Sequence, residues 1–218
     1  MFAAIGVMTQ PVVGGVTAVS LEVKSKTENA SDLANYTISS ADIGSPSANR
    51  WVAVAYASHR NVATTTAFTL GGVTYDYLTE ISTPDANGNS SGVGFWKVPT
   101  GSTANVSITF STSRRGCALQ VFVFQSSAVD PRSDTKTSST GSSASVDVPS
   151  GGGAMAAAVA NDAGGAAWSG LTERAAVDAN TNEWCSTAGD NLTEETARAI
   201  SFFTGNGQCI AAVAIKPN

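Results

Sequence analysis

Apolar residues in this chain recur at every second position in short runs, and Gly, Ser, Thr, Asn and Pro separate the runs. A period of two puts one set of side chains on one face of an extended strand, so this pattern argues for sheets and against helices. Val19-Leu21-Val23 alternates cleanly, Tyr36 to Ile38 is a short β-prone piece, and Trp51 to Ala57 (WVAVAYA) predicts a strand packed closely through small Ala. Phe68-Thr69-Leu70 and Val73-Thr74-Tyr75 flank Gly71-Gly72, a pair that accepts the positive φ angles of a two-residue hairpin turn. Gly94 to Val98, Val106 to Phe110 and Cys117 to Phe124 complete a first set of strands. Composition agrees: Ser (27), Thr (24), Gly (21) and Ala (34) make up nearly half of 218 residues, whereas Leu, the staple of helical cores, occurs 7 times. Glu28 to Ala34 offers at most one helical turn, through the capping residues Asn29, Ser31 and Asp32.

A second set follows a polar stretch, Ser126 to Ser143, that carries Pro131 and no apolar period, and therefore reads as a long surface crossover or an interdomain linker. Its strands are expected at Val146 to Val148, Ala154 to Ala160, Ala166 to Leu171, Glu183 to Ser186, Thr196 to Phe203 and Cys209 to Ile215. The two sets echo each other at a spacing of 93. Leu78-Thr79-Glu80 recurs as Leu171-Thr172-Glu173 and Asp85-Ala86-Asn87 as Asp178-Ala179-Asn180, within 11 identities over the 33 positions from Leu78 to Phe110. Cys117 and Cys209 then align after one deletion, although Val106-Ile108-Phe110 alternates out of phase with Ile200-Phe202. Two related units, each with one apolar face, cover those faces most simply by stacking. The expected architecture is all-β: a jelly-roll-like β-sandwich built from two related halves of about five strands each. Residues 1–15 form an apolar arm, and residues 16–218 form one sandwich domain with halves at 16–126 and 143–218 joined by a crossover at 127–142. Two tandem sandwiches are the alternative.

The formal charge of −5, with 12 Lys plus Arg and no basic run beyond Arg114-Arg115, lacks the footprint of a nucleic-acid binder. The apolar start, MFAAIGVMTQPVVGGV, has no basic leader and is interrupted by Gln10 and Pro11, so neither a standard export signal nor membrane insertion is expected. The segment reads equally as a flexible start or as an apolar arm that packs on a neighbouring subunit. Cys117, Cys185 and Cys209 are odd in number, lack CxxC spacing and lie in or beside apolar runs, which predicts free, mostly buried thiols and synthesis in a reducing cytoplasm.

No motif names a reaction, and no catalytic, cofactor or metal residue is assigned. The single histidine, His59, follows the WVAVAYA strand in SHRN and reads as a strand-end side chain in water. SGGG at Ser150 to Gly153 lacks the Lys and helix of a phosphate loop. Paired carboxylates leave no sequence signature, and Glu80 and Glu173, at matching places in the echo, read as solubilising or turn-bonding groups. DANGNSS from Asp85 to Ser91 sets Asp85, Asn87 and Asn89 at alternate places like a calcium loop. Glycine falls at the fourth place and Trp96 at the twelfth, so a hairpin loop is the better reading. Aromatics at sandwich edges stack on sugar rings or anchor interfaces. Trp184, among polar neighbours in NEWCST, is the expected exposed aromatic, and one of Phe95 and Trp96 must face outward in a regular strand. The expected interface or glycan contacts are Trp184, Tyr77, Trp96, Asp85, Asn87 and Asn89.

The segment Tyr36 to Ala57, YTISSADIGSPSANRWVAVAYA, resembles a family of β-sandwich proteins encoded by tailed bacteriophages and related prophages. The likeness continues through Gly71 to Val73, Phe95 to Thr103 (FWKVPTGST), Val146 to Asn161, Trp168 to Arg174 (WSGLTER) and the closing IAAVAIKP, covering nearly the whole chain after residue 16. The resemblance implies a non-enzymatic virion structural protein, assembled in the host cytoplasm and partnered by other virion proteins. A tail-tip or tail-fibre module contacting host-surface glycan is favoured over a head decoration protein, and a glycan-degrading tail enzyme comes third. A homo-oligomer, most simply a trimer, is expected from such appendages. The resemblance carries no catalytic residue onto this chain.

Overall fold

The computed structural model describes residues 17–59, 63–83, 88–161, 167–179, 183–202 and 207–217. The first half contains β1 (Glu22–Asn29), β2 (Leu33–Asp42), β3 (Arg50–His59), β4 (Thr65–Leu70), β5 (Val73–Thr74), β6 (Tyr77–Ser82), β7 (Ser90–Lys97), β8 (Thr103–Arg114) and β9 (Gly116–Gln125). The second contains β10 (Arg132–Ser138), β11 (Ser143–Val148), β12 (Gly153–Asn161), β13 (Trp168–Ser169), β14 (Glu173–Asp178), β15 (Glu183–Asn191), β16 (Glu195–Phe202) and β17 (Gly207–Ile215). The protein is all-β, as expected, but each half holds more strands than the five foreseen. The capping residues near Asn29 make a turn that carries the chain from one sheet of the first half to the other, in which Asn29 Oδ1 accepts from the Ser31 amide at 2.8 Å.

The strands form four antiparallel sheets. Inner sheet one has the order β1-β9-β3-β7-β6 and inner sheet two the order β10-β17-β12-β15-β14; the outer sheets are β2-β8-β4-β5 and β11-β16-β13. Equivalent strands of the halves occupy equivalent places, so the internal duplication read from the sequence is present in the topology. Its register needed adjustment. Phe110, aligned with Phe203 at a spacing of 93, faces the first outer core, as Ile108 does, while Ile200 and Phe202 face the second. An odd offset exchanges the two faces of a strand, so only an even offset superposes these residues. The polar crossover is also corrected: β10, lying within it, pairs along the edge of inner sheet two with β17. Its strand was invisible because both of its faces carry polar side chains, RSDTKTS.

In place of one core there are three. The first lies between outer sheet one and inner sheet one (Tyr36, Tyr56, Phe68, Trp96, Ile108, Phe110), the second between the two inner sheets (Trp51, Phe95, Phe122, Met155, Val213), and the third between inner sheet two and outer sheet two (Val148, Ala156, Ala158, Phe202, Ile210). Each half is therefore a sandwich, and the two sandwiches stack through their inner sheets. Because both faces of an inner sheet are covered, every residue of β3 from Arg50 to His59 is buried. Phe95 and Trp96 are accordingly both buried, on opposite faces, and neither turns to solvent. Small residues make this stacking feasible. A Cβ at Gly92 would lie 2.6 Å from the Tyr56 ring, and one at Gly189 would lie 2.8 Å from the Phe122 ring across the joint between halves.

Two loop segments become structural joints. Arg50, fully buried, donates from Nε to Val98 O (2.7 Å), from Nη1 to Gly44 O (2.6 Å) and from Nη2 to Thr100 O (2.5 Å). One guanidinium thereby ties the ADIG segment to the KVPTG segment, and its burial lowers its pKa from the ordinary value. The Gly71-Gly72 hairpin forms as expected, with φ of 59° and 81°.

Candidate functional site

Most of the expected contact residues belong to the interior or to the joint between halves. Trp184 is half-buried and packs against the third core with Trp168 and Leu192. Tyr77 is half-buried, with the Arg132 guanidinium 4.4 Å above its ring and its hydroxyl donating to Val129 O at 3.1 Å, so it secures the start of the second half. Trp96 is 2 % exposed and donates from its indole to Val73 O at 2.9 Å. Asn89 is fully buried, and Asp85 and Asn87 lie outside the described residues. The cysteines are free and buried, as the sequence predicts. Burial pushes the Cys117 and Cys185 thiols far above their usual range.

His59 corrects its sequence reading most sharply, being 1 % exposed rather than solvated. It ends β3 beneath the first residue of β15. Its Nε2 lies 2.5 Å from Glu183 Oε2, in the other half, and its Nδ1 lies 2.5 Å from Asn89 Oδ1. Burial lowers the histidine's pKa; Glu183 and Asn89 oppose that shift, while Arg114 and Arg115 reinforce it. Beside it Arg114 is fully buried, donating to Ser58 O and Ser90 Oγ, each at 2.8 Å, with its guanidinium 5.0 Å over the Phe110 ring. His59 thus joins the sandwiches through Nε2, while Nδ1 is held by Asn89 within its own half.

A polar cleft of ≈ 270 Å³ lies along β10, lined by Asp130, Arg132, Ser133, Asp134 and Thr135; aromatic rings join the polar groups at one edge of the first sandwich, where β4, β5 and β6 close the gap between its sheets. Two clefts flank the Val73 to Asp76 strip. The larger, ≈ 300 Å³, has Ile43, Leu70, Val98 and Ala104 among its apolar lining and the exposed side chains of Asp76 and Lys97 as its charges. Asp76 is held in place because its Oδ2 accepts from the Lys97 amide at 2.7 Å. The smaller, ≈ 150 Å³, is lined by Thr65, Thr66, Phe68, Thr74, Tyr75 and Glu80, with Ala67 and Leu78 completing it. Here the hydroxyls of Tyr56 and Thr65 both donate to Glu80 Oε1, and they lie 3.1 Å from each other. Burial, and then the Glu80 charge, push the Tyr56 phenol well above its ordinary pKa, so it stays protonated and keeps donating.

The sequence echo had singled out Glu80 but assigned it a solubilising role. Its half-burial and two hydroxyl donors correct that reading. Glu173, its counterpart, is exposed and lies 3.1 Å from Ser186 Oγ. Nothing local marks Asp76 and Lys97 as neighbours; a Gly-Gly turn twenty-odd residues before a lysine is the only trace they leave. No protein-family model, curated protein or solved structure matches this chain.

Proposed function

We propose that this chain is a non-enzymatic structural protein of a tailed-phage virion, a tail-tip or tail-fibre module that meets host-surface glycan through the open edge of its first sandwich. The virion setting rests on the motif resemblance running from Tyr36 to the C-terminal IAAVAIKP. The observation that carries the contact role is the pair of clefts at that edge, which combine apolar floor, aromatic rings, hydroxyls and two carboxylates, the ingredients of polar small-ligand recognition. A passive scaffold is favoured because the groups best suited to general-base or nucleophilic chemistry are committed to packing: both ring nitrogens of His59 are taken, one by Glu183 across the joint and one by Asn89 in its own half, and the three thiols are buried.

Immunogold labelling of intact particles with antibody to the recombinant chain tests the placement. Labelled tails with bare capsids are expected. Labelled capsids with bare tails would replace this reading with head decoration, and unlabelled particles would end the virion assignment. Incubating the protein with host surface polysaccharide checks the enzymatic alternative, since release of reducing ends that one carboxylate substitution abolishes would make it a depolymerase.

A further inference from the structure

We infer that the Glu80 cleft binds the primary ammonium group of an amino sugar, an inference that rests on the glycan-contact reading and names the chemistry its smaller cleft selects. Tyr56 and Thr65 each own one hydroxyl proton, and both point at Glu80 Oε1. Thr66 directs its proton at Thr109 O, 3.1 Å away. What these groups still offer a ligand is acceptor capacity: the second carboxylate oxygen of Glu80 and the free lone pairs of three hydroxyls.

Among the described residues, no Lys, Arg or His lines the cleft and Glu80 has no ion-pair partner. Both hydroxyl donors serve Oε1, so the charge of this half-buried carboxylate still lacks an opposite charge among the described residues to offset its partial desolvation. An ammonium group supplies one, with three N–H donors and a full positive charge in short, charge-assisted bonds. Tyr75, half-buried at the same cleft, adds an aromatic ring, a favourable surface for a cation. The exposed Thr66 and Thr74 hydroxyls lie beside it to meet the hydroxyls of the sugar. A volume of ≈ 150 Å³ is about half the lower limit, roughly 300 Å³, for drug-sized pockets, so it suits one sugar residue and not an oligosaccharide.

The experiment is titration of the full chain, by heteronuclear NMR, with glucosamine, N-acetylglucosamine, glucose and Nα-acetyl-lysine amide in parallel. Glucosamine is expected to shift resonances of Thr65, Thr66, Thr74 and Glu80, while N-acetylglucosamine and glucose bind at least tenfold more weakly. Glu80→Gln keeps the shape and an acceptor for Tyr56 and Thr65, and is expected to weaken glucosamine at least tenfold. Thr66→Lys, at an exposed position, puts a tethered ammonium at the cleft and abolishes binding without touching the buried hydroxyls, so the test survives if Glu80→Gln does not fold. Equal affinity for glucose and glucosamine, unchanged glucosamine binding in both variants, or no binding of any probe overturns the inference. Lysine amide binding as tightly as glucosamine overturns the sugar and makes the ligand a peptide amine. Adsorption of labelled protein to host cells separates the two levels. Adsorption that persists in Thr66→Lys sinks the ammonium site and leaves the surface-contact reading intact, whereas a wild-type chain that does not adsorb sinks that reading itself.

Discussion

The two sandwiches share one strand order and fill it with different side chains. The first packs its outer core with rings, Phe68 standing edge-on to Trp96 at 5.0 Å and to Tyr56 at 5.3 Å, and anchors its ends with two fully buried arginines. The second fills the equivalent space mainly with Ala, Val and Ile around Phe202, and its arginines are half-exposed: Arg174 pairs with Asp190 and Arg198 with Glu195. Bulky rings between two sheets demand room, which Gly92 and Gly94 supply on β7, and the sandwich so built carries the polar clefts at its edge. One topology thus supports a tightly filled half, built for stacking, and a half whose larger side chains leave a usable edge.

That contrast can be broken most forcefully at the buried arginines. Arg50→Ala leaves three carbonyls without donors, at roughly 1 kcal/mol or more each, and is expected to destabilise the protein by about 3 kcal/mol or more in urea unfolding. Arg198→Ala, which removes a half-exposed guanidinium, is expected to cost about 1 kcal/mol or less. Equal losses would show that the two halves do not differ in how they secure their ends.

The joint between halves comes next. A methyl group at position 189 meets the Phe122 ring, so Gly189→Ala is expected to cost about 1–3 kcal/mol and to broaden or split the unfolding transition as the sandwiches separate. A single sharp transition at an unchanged midpoint would mean that the inner sheets tolerate a looser seam.

A smaller effect concerns pH at the same joint. Because the folded His59 has a pKa below its ordinary value of about 6.5, the unfolded chain takes up the proton first. The stability that neutral His59 contributes is therefore complete above about pH 6.5 and declines as pH falls toward the lower folded value. His59→Gln is expected to remove this part of the pH dependence, measured as the urea midpoint between pH 7.5 and 4.5; an identical slope in the variant would contradict the direction of the shift.

Smallest is the relief of backbone strain. Ser40 and Ala197 hold φ of 50° and 55°, and their amides donate to Asn105 Oδ1 and Asp147 Oδ1 across their outer-sheet ladders. Ser40→Gly and Ala197→Gly each remove a left-handed penalty of about 1–2 kcal/mol at an entropic cost of about 0.5–1, for a net gain of about 0.5 kcal/mol in thermal unfolding. A gain in only one half would make the two bulges inequivalent.

The alternation that opened the reading located β3, β7, β8, β9, β12 and β17 because their side chains have two environments or are apolar throughout. It passed over β10, whose faces are both polar, and it spread the expected contact residues over aromatics that the fold turned inward. Trp96 is the instructive case. A regular strand sends Phe95 and Trp96 to opposite faces, which is what happens, but the inference that one of those faces meets water assumed a sheet covered on one side only. Glu80 was visible as half of a repeated Leu-Thr-Glu, yet the donors that hold it come from Tyr56, 24 residues upstream, and Thr65, 15 residues upstream.

By itself, then, the order of residues determined the class of secondary structure, the Gly71-Gly72 turn, the doubling of the chain and the burial of the thiols, since each follows from preferences within a few neighbours or from self-similarity. Only the tertiary structure decided that the halves are separate sandwiches pressed together through their inner sheets, that His59 is buried against Glu183 rather than solvated, and that Asp76 and Glu80 come to lie in neighbouring clefts at one edge. The physical reason is that periodicity reports which way a side chain points, whereas what lies opposite it depends on how sheets formed from distant segments are layered.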